Sequence, residues 1–254
     1  AELSRISSGP PDAAVPNLGG VRHEMWVASG SDQIERIATH LNKMDAMYIA
    51  DGHHRSAAAA RIAAARREAV KEYDGSEPYN GFLAVSFPDD EVTILDYNRL
   101  VRDLDKRDAD TFLTALRERC DVRPCAEAVR PTQPHHFGMY LEGNWYELSL
   151  RAPIDEHDPV ERLDVQLLDR SVLQPLLGVG DPRTDPRIDF VGGSRGTAAI
   201  AARVDSGEMA IGFTLFPTSL ADLMAVADAG RIMPPKSTWF DPKLADGLIS
   251  LPLS

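Results

Sequence analysis

The chain has few cysteines and no long apolar run. Cys120 and Cys125 are the only cysteines among 254 residues. Two cysteines cannot form a disulfide framework, and their spacing matches no zinc-binding motif. No apolar stretch approaches the length of a membrane-spanning helix. Residues 1–16 lack the basic and apolar blocks of a signal peptide, so we expect a cytoplasmic protein without a membrane partner.

Basic charge is also scarce. The formal net charge is −12 at pH 7, with 27 Lys and Arg against 39 Asp and Glu. A surface that binds nucleic acid needs a basic stripe to match the phosphate backbone, so we expect no nucleic-acid partner. Small anionic ligands are still allowed, because a pocket can be locally positive inside an acidic protein. With 43% hydrophobic residues, the chain is long and apolar enough for one large domain or two small ones.

The apolar pattern predicts an α+β fold with mixed sheets. Residues 1–20 are rich in Pro and Gly, and they predict a flexible tail or linker. Residues 21–80 predict a helix-strand-helix unit with a helix capped by Ser31, a strand over 47–50 and an Ala-rich helix over 56–69. Residues 81–254 predict a larger α+β part built from hairpins and αβ units.

The larger part contains two predicted hairpins, over 81–95 and 137–150. His135 and His136 stand at the head of the second one, with no Cys, Asp or Glu at ligand spacing, so we expect a loop or strand-edge pair and no metal site there. Further helices and strands are predicted at these places: a helix capped by Asp108, helices over 163–177, 197–204 and 220–229, and strands over 188–191 and 209–216.

The segment Asp51-Gly52-His53-His54-Arg55 is the most informative feature of the sequence. It lies at a predicted strand-to-helix turn, where unpaired N–H groups and the positive end of the helix dipole meet two imidazoles and a guanidinium. Such a turn favours an anion, and phosphate in particular. Asp51 is suited to hold a metal ion or to orient an imidazole. The alternative is an exposed turn whose histidines only cap the helix.

A second cationic motif lies near the C-terminus, at Pro234-Pro235-Lys236-Ser237-Thr238. Two prolines stiffen a loop that carries one cation and two hydroxyls, which can bind phosphate or a magnesium ion. By itself this loop is more typical of a rigid surface turn, and the phosphate interpretation gains weight only together with residues 51–55. The glycine-rich segment 192–196 lacks the endings of known phosphate loops, and we interpret it as a strand-to-helix turn.

Two stretches together resemble one family. The residues IADGHHR followed by an Ala-rich helix, and VADAGRIMPPKSTWFDPKLADGL near the C-terminus, are similar to the domain-of-unknown-function family 1015. The resemblance covers residues 20–254. That family in turn resembles the archaeal free serine kinases and, through its first part, the ParB and sulfiredoxin superfamily.

The resemblance implies a phosphate site made from both motifs. Residues 51–55 would bind nucleotide phosphates, and Lys236, Ser237 and Thr238 would close the same cleft. It also implies Mg²⁺ with ATP or ADP, and phosphoryl transfer to a small hydroxyl metabolite such as free serine. Asp51 and His53 would take part in catalysis, and Gly52, His54 and Arg55 in phosphate binding.

The resemblance also implies a general base. In the serine kinases it is a glutamate in a His-Glu pair, and here the pair is His23-Glu24. Long bacterial members carry a further N-terminal region with its own His-Glu motif, so we expect the natural protein to be longer than this chain. Glu24 is then either the base or a solvated carboxylate at a strand edge. The alternative to a kinase is a module that senses a nucleotide or metabolite without turnover.

Overall fold

The structure is a computed structural model that describes residues 2–18, 20–243, 245 and 247–251. The chain divides into two compact units, Ala1–Ala84 with Leu244–Ser254, and Val85–Lys243. Helices and antiparallel sheets together make a mixed α+β fold, as the sequence predicts.

The first unit begins with ordered secondary structure. A short helix is followed by a two-stranded antiparallel hairpin, in which Ala13 lies opposite Met25. Residues 2–18 thus contain a helix and a strand where the composition predicts a flexible tail, because the next strand supplies backbone partners that the Pro- and Gly-rich composition does not reveal. The elements of this unit are α1 Glu2–Ile6, β1 Ala13–Leu18, β2 Val21–Met25, α2 Ser31–Leu41 and α3 His53–Ala69.

Two strands predicted from apolar runs are absent. Residues 46–50 and 81–88 form no strand. The side chains of Met47 and Phe82 are 63% and 54% exposed. A strand requires a partner as well as a suitable sequence, and the partner predicted for 81–87 pairs elsewhere. The prediction of a helix-strand-helix unit is therefore wrong for the strand. The prediction of a hairpin over 81–95 is wrong as well, because residues 81–87 do not pair with residues 92–95.

The second unit contains these elements: β3 Thr93–Leu95, β4 Tyr97–Val101, α4 Ala109–Arg117, β5 Cys120–Cys125, β6 His136–Leu141, β7 Asn144–Leu150, α5 Asp164–Leu168, a π-helical segment Asp169–Leu173, α6 Gln174–Leu177, β8 Ile188–Gly192, α7 Gly196–Asp205, β9 Ile211–Leu215, α8 Leu220–Asp228 and β10 Trp239–Asp241. Six of the strands form one sheet with the order β5-β7-β6-β9-β4-β8, in which every neighbouring pair is antiparallel. A separate small sheet pairs β3 with β10.

Both faces of the six-stranded sheet are covered. Because side chains alternate along a strand, β4 sends Leu100 to one face, where it packs in a cluster with Ile200 of α7. Val101 points to the opposite face and packs in a larger cluster with Phe112 of α4 and Leu168 of α5. Arg99, two residues before Val101, belongs to the same face as Val101.

Candidate functional site

The Asp51–Arg55 turn opens α3, so both histidines and Arg55 lie in the first helical turn. Gly52 stands at the N-cap position with φ 81°, in the left-handed region that glycine adopts without strain. Its N–H donates to Asp51 Oδ1 at 2.6 Å, and its carbonyl accepts from the N–H of Ser56 at 2.9 Å. The turn is sharp because Gly52 supplies the backbone conformation that it needs.

The Arg55 side chain folds back over this turn. A Cβ placed on Gly52 would lie 3.5 Å from both Nε and Nη2 of Arg55. The residue is exposed, and the first turn of α3 contains no acidic side chain. An exposed guanidinium therefore stands beside the positive end of a 17-residue helix. The side chains of His53 and His54 lie outside the described part of the structure.

Glu24 lies on β2 and is engaged by a neighbour. Its Oε1 is 2.6 Å from Nη2 of Arg22, two residues earlier on the same face of the strand. The Glu24 side chain is 33% exposed. The carboxylate that the resemblance assigns as the base is therefore in contact with a cation of its own strand.

The Lys236 loop of the second unit is held by hydrogen bonds. Lys236 has φ 54°, and its Nζ lies 5.7 Å from the centre of the Tyr97 ring, which is a cation–π contact. Ser237 is 4% exposed. Its Oγ donates to Pro234 O at 2.7 Å, and Thr218 Oγ1 donates to Ser237 O at 3.0 Å. The hydroxyl hydrogen of Ser237 is thus used to hold the loop, while Lys236 stays exposed.

The end of the Lys236 loop lies next to the glycine-rich turn at 192–196. The sequence alone did not predict this contact. A Cβ on Gly192 would lie 2.5 Å from Cε3 of Trp239, so only glycine lets the indole approach the end of β8. The rings of Trp239 and Tyr97 meet edge to face at 5.4 Å between centroids. The signal that could have indicated this contact is the Gly192-Gly193 pair, because glycine at the end of a strand often marks a close approach.

The two motifs belong to different units. Residues 51–55 lie in the first unit, and Lys236, Ser237 and Thr238 lie in the second. Their union in one cleft stays a prediction.

No group of three or more His, Cys, Asp or Glu side chains is placed to hold a metal ion in the described part of the chain. No helix among the described residues is long and apolar enough to cross a membrane.

Several solved structures are similar to this chain, with low sequence identity and low TM-scores. A free serine kinase in complex with AMP is 16% identical, with 84% of this chain and 81% of that chain covered and a TM-score of 0.39. A conserved hypothetical protein from Pyrococcus furiosus is 16% identical, with 82% and 81% covered and a TM-score of 0.38. Because these TM-scores are low, no property of these proteins is inferred for this chain. No curated protein matches it significantly.

The chain also matches the model of a protein family. The model of a protein family of unknown function, DUF1015, matches residues 2–166. The Asp51–Arg55 turn lies inside this range, and the Lys236 loop lies beyond it. The match extends over more than half of the chain, and the chain therefore belongs to the DUF1015 family.

Proposed function

We propose that this protein binds a nucleotide at the N-terminal turn of α3 and transfers a phosphoryl group to a small hydroxyl metabolite such as free serine. One observation carries the proposal: the Arg55 guanidinium lies over the left-handed Gly52 at the positive end of a long helix. N–H groups without intrahelical partners, a helix dipole and a guanidinium together favour phosphate oxygens.

The rest of the proposed chemistry needs little covalent help. Phosphoryl transfer depends mainly on charge neutralisation and in-line positioning. Arg55 would neutralise the phosphates together with His53 and His54, its neighbours in the sequence, and Lys236 and Thr238 would contribute as well. Ser237 would keep that loop in place through its bond to Pro234.

The proposal assigns magnesium to Asp51 and the nucleotide phosphates. Mg²⁺ is usually held by one or two carboxylates together with substrate phosphates, so a protein cage of three ligands is not required. Asp51 is the one carboxylate within residues 51–55, and it would be the protein ligand beside nucleotide oxygens. When bound, the ion would offset the negative charge of the phosphates.

A second candidate function is nucleotide sensing without turnover. The ion pair between Glu24 and Arg22 favours it, because the carboxylate that a kinase would need as its base is already engaged by a cation on the same strand. In that case the chain would bind nucleotide at the same turn and release it unchanged.

Calorimetric titration with ATP and ADP in the presence of Mg²⁺ tests the phosphate site. The Arg55→Ala variant should bind about tenfold more weakly or worse, because a charge-assisted hydrogen bond contributes about 1.5–3 kcal/mol. The matched control is Arg61→Ala, an exposed arginine further along the same helix, which should bind like the wild type. Equal affinity of wild type and Arg55→Ala, or no binding by the wild type, would refute the site.

The same titration tests whether both motifs act together. A loss of affinity in Lys236→Ala that matches the loss in Arg55→Ala supports one shared cleft, whereas an unchanged affinity assigns Lys236 no part in it. Phosphorus NMR with ATP and serine then separates the two candidate functions. Formation of phosphoserine that is abolished in Glu24→Gln supports the kinase, and binding without any new phosphorus signal supports sensing.

A further inference from the structure

Three aromatic rings meet at the start of β4 in the second unit. Tyr97 is the first residue of β4, and Gly192, the last residue of β8, lies opposite it. Because glycine has no side chain, the space beside the Tyr97 ring is open, and the Trp239 ring lies there against Gly192. Phe190, two residues before Gly192 on β8, lies on the same face of the sheet. The Tyr97 ring contacts the rings of both Phe190 and Trp239.

These two contacts fix the orientation of the Tyr97 ring. Its centroid lies 5.9 Å from that of Phe190, with the ring planes at 86°, and 5.4 Å from that of Trp239, with the planes at 70°. Such edge-to-face pairs are favourable because the positive edge of one ring meets the negative face of the other. Trp239 is itself held in place, since its strand β10 pairs with β3. The Tyr97 ring therefore has little freedom to turn.

The ammonium group of Lys236 lies over this fixed ring. Nζ is 5.7 Å from the ring centroid, within the range of a cation–π contact. The backbone of the lysine is fixed as well, because Ser237 Oγ donates to Pro234 O and Thr218 Oγ1 donates to Ser237 O. The Lys236 side chain is thus held at both ends, although the residue is exposed.

This confinement affects how well Lys236 binds an anion. An unconfined lysine side chain populates many rotamers, and an ion pair with a phosphate oxygen must order them at a cost in binding free energy. A lysine that is already held by a ring loses less of this freedom on binding. A ring face also attracts the ammonium group without placing a carboxylate against it, so the N–H donors stay available to a phosphate oxygen.

We infer that Tyr97 is a positioning residue, whose ring holds the Lys236 ammonium group where it meets a phosphate oxygen. The inference rests on the proposed function, because it assumes that Lys236 contributes to nucleotide binding. The hydroxyl group of Tyr97 has no part in this role, since the attraction comes from the face of the ring. Phenylalanine should therefore replace Tyr97 without loss, whereas leucine, which is apolar but not aromatic, should not. The alternative is that Tyr97 only packs between β4 and β10.

The contact is tested first in the full chain without nucleotide, by ¹H–¹³C NMR. Protons above a ring face are shielded by the ring current, so the ε-methylene signal of Lys236 should lie upfield of that of Lys106, an exposed lysine of the same unit. The Lys236 signal is assigned by its absence from the spectrum of Lys236→Ala. Tyr97→Phe should keep the upfield shift and Tyr97→Leu should remove it. A Lys236 signal without this shift in the wild type would overturn the inference.

Calorimetric titration with ATP and Mg²⁺ then tests whether the contact matters for binding. Tyr97→Leu should bind about two- to fivefold more weakly than the wild type, as expected from the loss of an exposed cation–π contact. Tyr97→Phe should bind like the wild type. In a Lys236→Ala background, Tyr97→Leu should have no further effect, because the group that the ring holds is gone. An equal loss of affinity in both backgrounds would indicate packing alone and would overturn the inference.

The matched control is Tyr146→Leu, the same substitution of a half-buried tyrosine on β7 of the same sheet. It should leave both the Lys236 signal and the affinity for ATP unchanged. If Tyr97→Leu does not fold, Tyr97→Met removes the ring while keeping a longer apolar side chain.

The two measurements separate a failure of the inference from a failure of the proposed function. Affinity that falls about tenfold in Lys236→Ala but stays unchanged in Tyr97→Leu would overturn the inference alone. No binding of ATP by the wild type would refute the proposed function and, with it, a part for Tyr97 in binding. The upfield lysine signal would in that case still establish the contact between Lys236 and the ring.

Discussion

The contact between Gly192 and Trp239 offers a sharp test of the second unit, through the variant Gly192→Ala. Gly192 has φ −65°, which alanine adopts freely. The new methyl group would nevertheless lie 2.5 to 2.8 Å from three atoms of the indole ring, Cε3, Cζ3 and Cδ2. Any effect must therefore come from overpacking, without a contribution from backbone strain.

The expected cost follows from the rigidity of the neighbour. The Trp239 ring also packs against Tyr97, and its strand pairs with β3, so it cannot move without loss of other contacts. Overpacking of this kind costs about 1–3 kcal/mol. For a unit of this size the melting temperature should fall by about 2–4 °C for each kcal/mol.

Urea unfolding monitored by tryptophan fluorescence is the assay, with Gly180→Ala as the matched control. A Cβ on Gly180 would lie 3.7 Å from Asp185 Oδ2, an ordinary contact, so this variant should unfold like the wild type. The double variant with Trp239→Leu should lose less stability than the sum of the two single changes, because both act on one contact. Equal urea midpoints for Gly192→Ala and Gly180→Ala would refute the packing of the indole on the turn.

Two further predictions concern buried titratable groups of the second unit. Burial raises the pKa of Asp164 to about 6, although the N–H of His135 opposes this by donating to Oδ1 at 2.9 Å. The folded state then holds this proton more tightly than the unfolded chain, so the resulting stabilisation is present below about pH 4 and is lost as the pH rises through 6. Between about pH 4 and pH 6, the free energy of unfolding of the wild type should fall by up to about 3 kcal/mol relative to that of Asp164→Asn, as measured by urea titrations at several pH values. If the free energies of unfolding of the two proteins changed in parallel with pH, the raised pKa would be contradicted. Burial likewise raises the pKa of the Cys120 thiol to about 11. Iodoacetamide at pH 8 should therefore label the partly exposed Cys125 much faster than Cys120 in the native protein, as measured by mass spectrometry. Equal labelling rates would contradict this prediction.

Several elements could be predicted from the sequence because their hydrogen bonds are local. The hairpin over 136–150 forms as predicted, with Glu142 and Gly143 at positive φ in the turn. Asp108 accepts from the N–H of Thr111, and Ser219 accepts from the N–H of Asp222, so each caps its predicted helix. The Asp51–Arg55 turn likewise opens a helix, because an Ala-rich run after glycine favours helix initiation within a few residues.

Other features depended on partners far away in the chain. The apolar runs at 47–50 and 81–87 have strand-like compositions but form no strand, since composition does not specify which segment will pair with them. β3 pairs instead with β10, across more than a hundred residues.

The candidate site divides in the same way. The sequence alone determined that residues 51–55 carry cations at a helix start, because helix N-termini and positive side chains are local properties. Only the tertiary structure placed Trp239 on Gly192 and the Lys236 ammonium group over the Tyr97 ring. These contacts arise from sheet order and helix packing, which no local pattern encodes, because they join residues through space rather than along the chain.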